Sequence, residues 1–283
     1  MEYININSAG VVGQILSNPS TIAQILNDDF TFHYLPEAQI DFERKPDVFV
    51  KEELHDKVVT IDYPQIIISP MEDHRGLVSA CDYLLERSRQ EKLGVYSLNS
   101  SSVQKEGEAI IFFGGSTNLG KTSSALELAI NGFELFSDEK TLLDLNNKQL
   151  YSGSKSIALR KKVLQKKLKS KREFLEFDES SCPQPNISMM ILPHLDHGLE
   201  KPISYQLNQM DAFWHLNKEL ARRIRGDTKF IGNFQYSLQS IDNEELSLKR
   251  VEAIKNLTQI TPIYYFQGSL NQLTDFVNER FNK

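Results

Sequence analysis

Cysteine is almost missing from this sequence: its 283 residues include only Cys81 and Cys182, too few for a disulfide framework. Long apolar runs are missing as well. Stretches such as Ile66–Ile68 and Ala109–Phe113 fall far short of the ~20 residues that a bilayer-spanning helix needs. No basic segment followed by an apolar one opens the chain as a leader would. Positive charge is not in surplus: 38 Asp and Glu outnumber 32 Lys and Arg, and the formal net charge of −6 argues against a general polyanion binder. Repeats with a period of roughly 20–50 residues and low-complexity tracts are absent, which removes solenoids and biased linkers. The remaining composition, 40% hydrophobic and 25% charged, is that of a soluble, cytoplasmic, mixed α/β protein with no membrane partner. The length admits one large domain or two smaller ones around a sizeable core.

The texture of the chain changes near residue 72. Before it, Ser20-Thr21 has the chemistry to cap a short helix through Ile22, Ile25 and Leu26. Phe30, Phe32 and Tyr34 then alternate, followed by Ile40 and Phe42, Val48 and Val50, Val58–Ile61 and Ile66–Ile68, punctuated by Pro36 and Pro46. This pattern predicts short strands between turns, so residues 1–72 read as a small β-rich N-terminal module. Residues 73–283 read as the second domain. It begins with a helix whose Leu77, Ala80, Cys81, Leu84, Leu85 and Ser88 share one stripe, stopped by Gly94. Strands are expected at Val95–Leu98 and Ser102–Gln104. After a turn at Lys105–Glu108 comes Ala109–Phe113, apolar on both faces as a central strand must be. A helix over Ser123–Asn131 ends at Gly132, and strands follow at Phe133–Phe136 and Thr141–Leu145. Ile187–Leu192 reads as a strand ended by Pro193. Helices at Met210–Ile224 and Asn243–Leu257, a strand at Ile263–Phe266 and a helix at Leu270–Phe281 complete the pattern.

Between the strand Ala109–Phe113 and its following helix lies Gly115-Ser116-Thr117-Asn118-Leu119-Gly120-Lys121-Thr122, which fits G-x-x-x-x-G-K-[ST] without a mismatch. In such a loop, backbone amides wrap phosphate oxygens, the Lys neutralises charge and the Thr hydroxyl reaches Mg²⁺. The loop opens a helix, whose dipole favours an anion at that end. These eight residues are the candidate nucleotide-binding set, with ATP and Mg²⁺ as the implied ligands. The strand after the helix ends in Ser137-Asp138-Glu139. If that strand lies beside the loop strand, both acids emerge at the C-terminal edge of the sheet, where open α/β folds bind ligands. One acid can then take the proton of an attacking hydroxyl while the other helps to hold the metal.

These residues resemble the HPr kinase/phosphorylase superfamily, whose loop is similar to that of phosphoenolpyruvate carboxykinases. More closely, they resemble the HprK-related kinases found outside sugar regulation. The resemblance runs from Val103–Glu108 through Gly115–Thr122 and Gly132 to Ser137-Asp138-Glu139. Lys155–Leu159, Pro193–Leu216 and Pro262-Ile263-Tyr264 extend it over about residues 73–283. It implies a P-loop kinase core of mixed sheet with flanking helices. It also implies transfer of a γ-phosphoryl group to a hydroxyl, either Ser or Thr of a peptide or small protein or a small-molecule alcohol. The implied catalytic residues are Asp138, Lys121 and Glu139, and the implied metal ligands Thr122, Glu139 and Asp138. Two positions depart from the family pattern. Asn118 replaces a mid-loop Gly, and Asn tolerates left-handed φ better than other non-glycine residues. Asn99 stands about where the family often has a His, and Asn can only hydrogen-bond. That departure reads against phosphorolysis, and no hexamer-forming or HPr-binding context accompanies it.

Lys155 to Arg172 carries nine basic residues and no acid, with Leu164, Leu168 and Leu175 as a narrow apolar stripe that predicts a helix over much of it. One reading is a solvated face. The other is electrostatic, with Lys155 and Arg160 reaching phosphates or an acidic acceptor, and Arg160 is counted here among the nucleotide-binding residues. No aromatics interleave these charges, which reads against nucleic acid as a partner. Homo-oligomerisation is left open. The alternative function is a nucleotide-binding regulatory module that hydrolyses NTP slowly and holds a partner with its basic helix.

Overall fold

A computed structural model describes residues 1–53, 59–70, 73–115, 118–160, 172–178, 180–226, 228–231 and 234–281. The chain opens with a hairpin, β1 (Glu2–Ser8) and β2 (Val11–Ser17), paired from Glu2↔Ser17 to Ser8↔Val11. Ala9 and Gly10 turn it with φ of 49° and 92°, the positive values a two-residue hairpin favours. α1 (Pro19–Asn27) follows, and its cap is Asn18, which accepts from the Thr21 amide, rather than the expected Ser20-Thr21 pair.

The alternation at Phe30, Phe32 and Tyr34 is not a strand but α2 (Asp29–Tyr34). Asp28 caps it by accepting from the Phe30 amide, and the Phe30 and Tyr34 rings stack one turn apart at 4.9 Å. A capping carboxylate and an i,i+4 aromatic pair outweigh so short an alternation. β3 (Gln39–Ile40), β4 (Val48–Glu52), β5 (Val59–Asp62) and β6 (Gln65–Ile68) complete a mixed sheet in the order β3-β1-β2-β4-β6-β5, in which β2, β4 and β6 are parallel. α3 (Arg75–Leu93) packs across β2, β4 and β6 with the expected stripe buried. The approach is close: a Cβ on Gly13 would lie 2.4 Å from Cys81 Sγ. β7 (Val95–Leu98) follows Gly94.

β8 (Ser100–Lys105) and β9 (Glu108–Phe113) form a second hairpin, again turned by two residues of positive φ, Glu106 and Gly107. Then come α4 (Lys121–Ile130), β10 (Glu134–Ser137), β11 (Thr141–Asp144) and β12 (Gln149–Gly153). The ends of the basic run are strands rather than helix: β13 (Ser156–Arg160) pairs antiparallel with β14 (Arg172–Glu176), and residues 161–171 lie outside the described residues.

β15 (Asn186–Leu195) continues through Pro193 instead of stopping there. The Met190 amide donates to Pro262 O toward the later strand, so by alternation the Pro193 nitrogen faces β9, whose pairing with β15 has ended at Ile191↔Phe112. A proline is tolerated where no ladder partner awaits its missing N–H. β16 (Ile203–Gln206), α5 (Gln209–Ala221), β17 (Thr228–Ile231), β18 (Phe234–Ser237), α6 (Glu244–Thr258), β19 (Ile263–Gly268) and α7 (Leu270–Phe281) complete the α/β fold.

The chain divides into two compact units, Met1–Ser97 with Leu220–Arg250, and Leu98–Glu219 with Val251–Lys283. The boundary at 72/73 falls between β6 and α3. In the first unit, Ile224, Leu238, Ile241 and Leu246 belong to the same buried cluster as the α3 stripe, and the Tyr83 hydroxyl lies 3.0 Å from both the Ile224 and Gln239 carbonyls. In the second, a mixed sheet runs β10-β8-β9-β15, continued by β19 and β16, with β12 pairing β15 and β11 pairing β12. α4 and α7 cover one face over Val103, Ile110, Phe112, Ile191 and Phe266. β10 does not lie directly beside β9. β8 stands between them, antiparallel to both, so β9 and β10 still run the same way and end at the same edge. Among the described residues no helix is long and apolar enough to cross a membrane.

Candidate functional site

At that shared edge, β9 passes through Gly114 and Gly115 toward α4. Ser116 and Thr117 lie outside the described residues. Asn118 adopts φ 66°, the left-handed conformation its side chain tolerates. Gly120 caps α4 at φ 93°, and a Cβ there would lie 2.3 Å from Leu195, so glycine is required by both conformation and space. The Leu195 amide donates to Leu119 O at 3.3 Å, which seats the loop on the end of β15. Lys121 Nζ folds back and donates to Gly114 O at 3.0 Å.

The hydroxyl and acid groups meet beside this loop. Thr122 Oγ1 donates to Asp138 Oδ1 at 2.8 Å, and Ser101 Oγ donates to the same oxygen. The two hydroxyls stand 3.5 Å apart. Burial pushes the Asp138 pKa up, hydrogen bonds from Ser101 and Thr122 pull it down, the charge of Glu139 adds to the rise, and the net shift is upward. The acids sit in a tight turn. Lys140 N donates to Asp138 O at 2.7 Å around Glu139, whose φ is 63°. This is a γ-turn of the positive-φ kind, a strained conformation that clusters at functional sites. Asp138 N donates to Ser154 O at 3.1 Å and Ser154 N to Lys140 O at 3.0 Å, which clamps the turn to the end of β12.

The other face of β8 also grips this turn. Ser102 Oγ lies 2.5 Å from Ser137 Oγ, Ser137 Oγ lies 2.6 Å from Thr141 Oγ1, and Ser100 Oγ donates to Thr141 Oγ1 at 2.7 Å. Lys155 Nζ donates to Phe136 O at 3.0 Å and lies 4.1 Å from the ring centroid, so it braces β10 two residues before Asp138.

The structure thus brings Gly115, Asn118, Leu119, Gly120, Lys121, Thr122, Asp138 and Glu139 to one edge. Arg160 ends β13 opposite Arg172, and its side chain lies outside the described residues. Ser101 is the site residue that sequence reasoning missed, two positions past Asn99. Its available signal was a run of three serines, Ser100-Ser101-Ser102, inside a central strand where hydroxyls need partners. Arg225 is paired with Asp242 at 2.7 Å in the first unit. Among the described residues no group of three or more His, Cys, Asp or Glu side chains is arranged to hold a metal ion. Thr122, Asp138 and Glu139 form an oxygen-only donor set of the kind that suits Mg²⁺, which usually takes one or two carboxylates and completes its shell with water and phosphate. No protein-family model matches the chain, and no curated protein matches it in sequence.

Proposed function

We propose that this protein is an ATP-dependent phosphotransferase with a P-loop kinase core of the HPr kinase-like type. It transfers the γ-phosphoryl group to a hydroxyl of a peptide, a small protein or a small alcohol. The observation that carries this reading is the 2.8 Å hydrogen bond from Thr122 to Asp138. It joins the residue after the loop lysine to the acidic turn at the end of β10, as a donor site and a proton acceptor must be joined for phosphoryl transfer. In this reading the loop amides and the Lys121 ammonium, released from Gly114 O, hold the phosphates. Asp138 takes the acceptor proton, and its raised pKa is the direction that favours a proton acceptor. Thr122, Asp138 and Glu139 would hold Mg²⁺, which when bound supplies charge neutralisation at the phosphates. Catalysis is otherwise positioning and charge stabilisation by the chain itself.

The test is incubation with γ-labelled ATP, Mg²⁺ and a panel of hydroxyl peptides and alcohols. Label on an acceptor supports a kinase, whereas free phosphate alone supports the regulatory-module reading. Lys121→Ala should lower turnover by about 100-fold or more, the scale of losing one transition-state charge contact, with an unchanged circular dichroism spectrum. Undiminished turnover in that variant overturns both readings.

A further inference from the structure

We infer that Ser101 is a positioning residue for Asp138, an inference that rests on the phosphotransfer reading above. Two hydroxyls converge on a single carboxylate oxygen, Oδ1. This fixes the rotation of the carboxylate and presents Oδ2, the oxygen neither hydroxyl touches, as the one for the acceptor. The two donors are not equivalent. Thr122 lies in the first turn of α4, and its oxygen is the one the proposed mechanism turns to the cation. Ser101 has no such second duty. It is 1% exposed on β8, whose backbone is held by β9 at Ser101↔Phe112 and by β10 at the neighbouring Ser102↔Ser137.

The strand is thereby a rigid mount. Ser101 holds the carboxylate on the face shared with Thr122, while Ser100 and Ser102 hold Thr141 and Ser137 from the opposite face. Between turnovers and during them, Ser101 keeps Asp138 aimed whatever Thr122 contacts. A misplacement of about 1 Å in a reacting group costs on the order of 100-fold in rate, which sets the size of the effect.

The experiment is steady-state ADP formation and ATP affinity for Ser101→Ala and Ser101→Thr, with thermal unfolding followed in parallel. Ser101→Ala should lower kcat about 10- to 100-fold, leave the KM for ATP within about twofold, and leave the unfolding temperature near that of wild type. Ser101→Thr, which keeps the hydroxyl, should recover most of the lost kcat. An unchanged kcat in Ser101→Ala overturns the inference. So does a loss of kcat that comes with lost ATP affinity or a lowered unfolding temperature, or that Ser101→Thr fails to recover. None of these outcomes touches the phosphotransfer reading, which is decided by label on an acceptor and by Lys121→Ala.

Discussion

Two aspartates show how neighbours decide what a carboxylate does. Asp138 has hydroxyl partners and an acid beside it, and its pKa is raised. Asp242 is also penalised by burial, but hydrogen bonds from Arg250 and Arg225 outweigh that penalty and hold its pKa below the ordinary 3.8. The Arg250 contact is 2.6 Å, and the guanidinium itself is fully buried. A carboxylate with a depressed folded-state pKa adds stability above its unfolded pKa and loses it as pH falls through the folded one. Thermal unfolding from pH 7 to pH 3 should therefore show stability dropping below about pH 4. Asp242→Asn should lower stability at pH 7 and flatten that acid dependence. An acid limb of equal slope in the variant would contradict this role. At this scale the sequence was legible where one residue's own chemistry decides, as at Asn118. It was not legible at Ser101, because the partner that gives that serine a purpose lies 37 positions away.

The element that carries the acids is held in place by a contact with no side chain. At Gly153, the end of β12, a Cβ would lie 2.3 Å from Ser137 Cβ and 2.8 Å from the Lys140 carbonyl. Gly153→Ala should push the γ-turn off its seat, destabilise the protein by about 1–3 kcal/mol as overpacking does, and cost turnover more than ATP affinity. Chemical denaturation and ATP titration separate the two effects. Strand and helix identities were mostly legible in this unit because the periodicities run long enough. Strand neighbours were less so, since nothing local says that β8 inserts between β9 and β10. Pro193 misled for a related reason. A proline's cost depends on which side of the strand still has a partner.

At the scale of the molecule, the two units are not consecutive stretches. Leu220–Arg250 returns to complete the first unit, and Ile224, Leu238, Ile241 and Leu246 are buried in its core. A chain beginning at Leu98 would keep the loop, the acids and β8, yet leave those four side chains without their partners. Such a chain should bind an apolar dye strongly and aggregate by light scattering. If it stays monomeric and dye-free, residues 220–250 do not depend on the first unit. This arrangement could not be read from composition, because no linker-like stretch marks any of the three crossings.

The contact between α3 and β2 has one more consequence. Cys81 is wedged against Gly13, and burial, with the charge of Asp82, pushes its thiol pKa up to about 12. A thiol kept protonated and sealed in this way reacts only when the helix lifts off the sheet. Cys182, half-buried in the second unit, has no such seal. Alkylation followed by mass spectrometry should modify Cys182 readily and Cys81 slower by about a thousandfold or more, the scale of an opening that costs a few kcal/mol. Equal rates would mean that the wedge does not hold in solution. If it does hold, the labelling of this one sulfur is a clock, counting how often α3 lifts from its sheet.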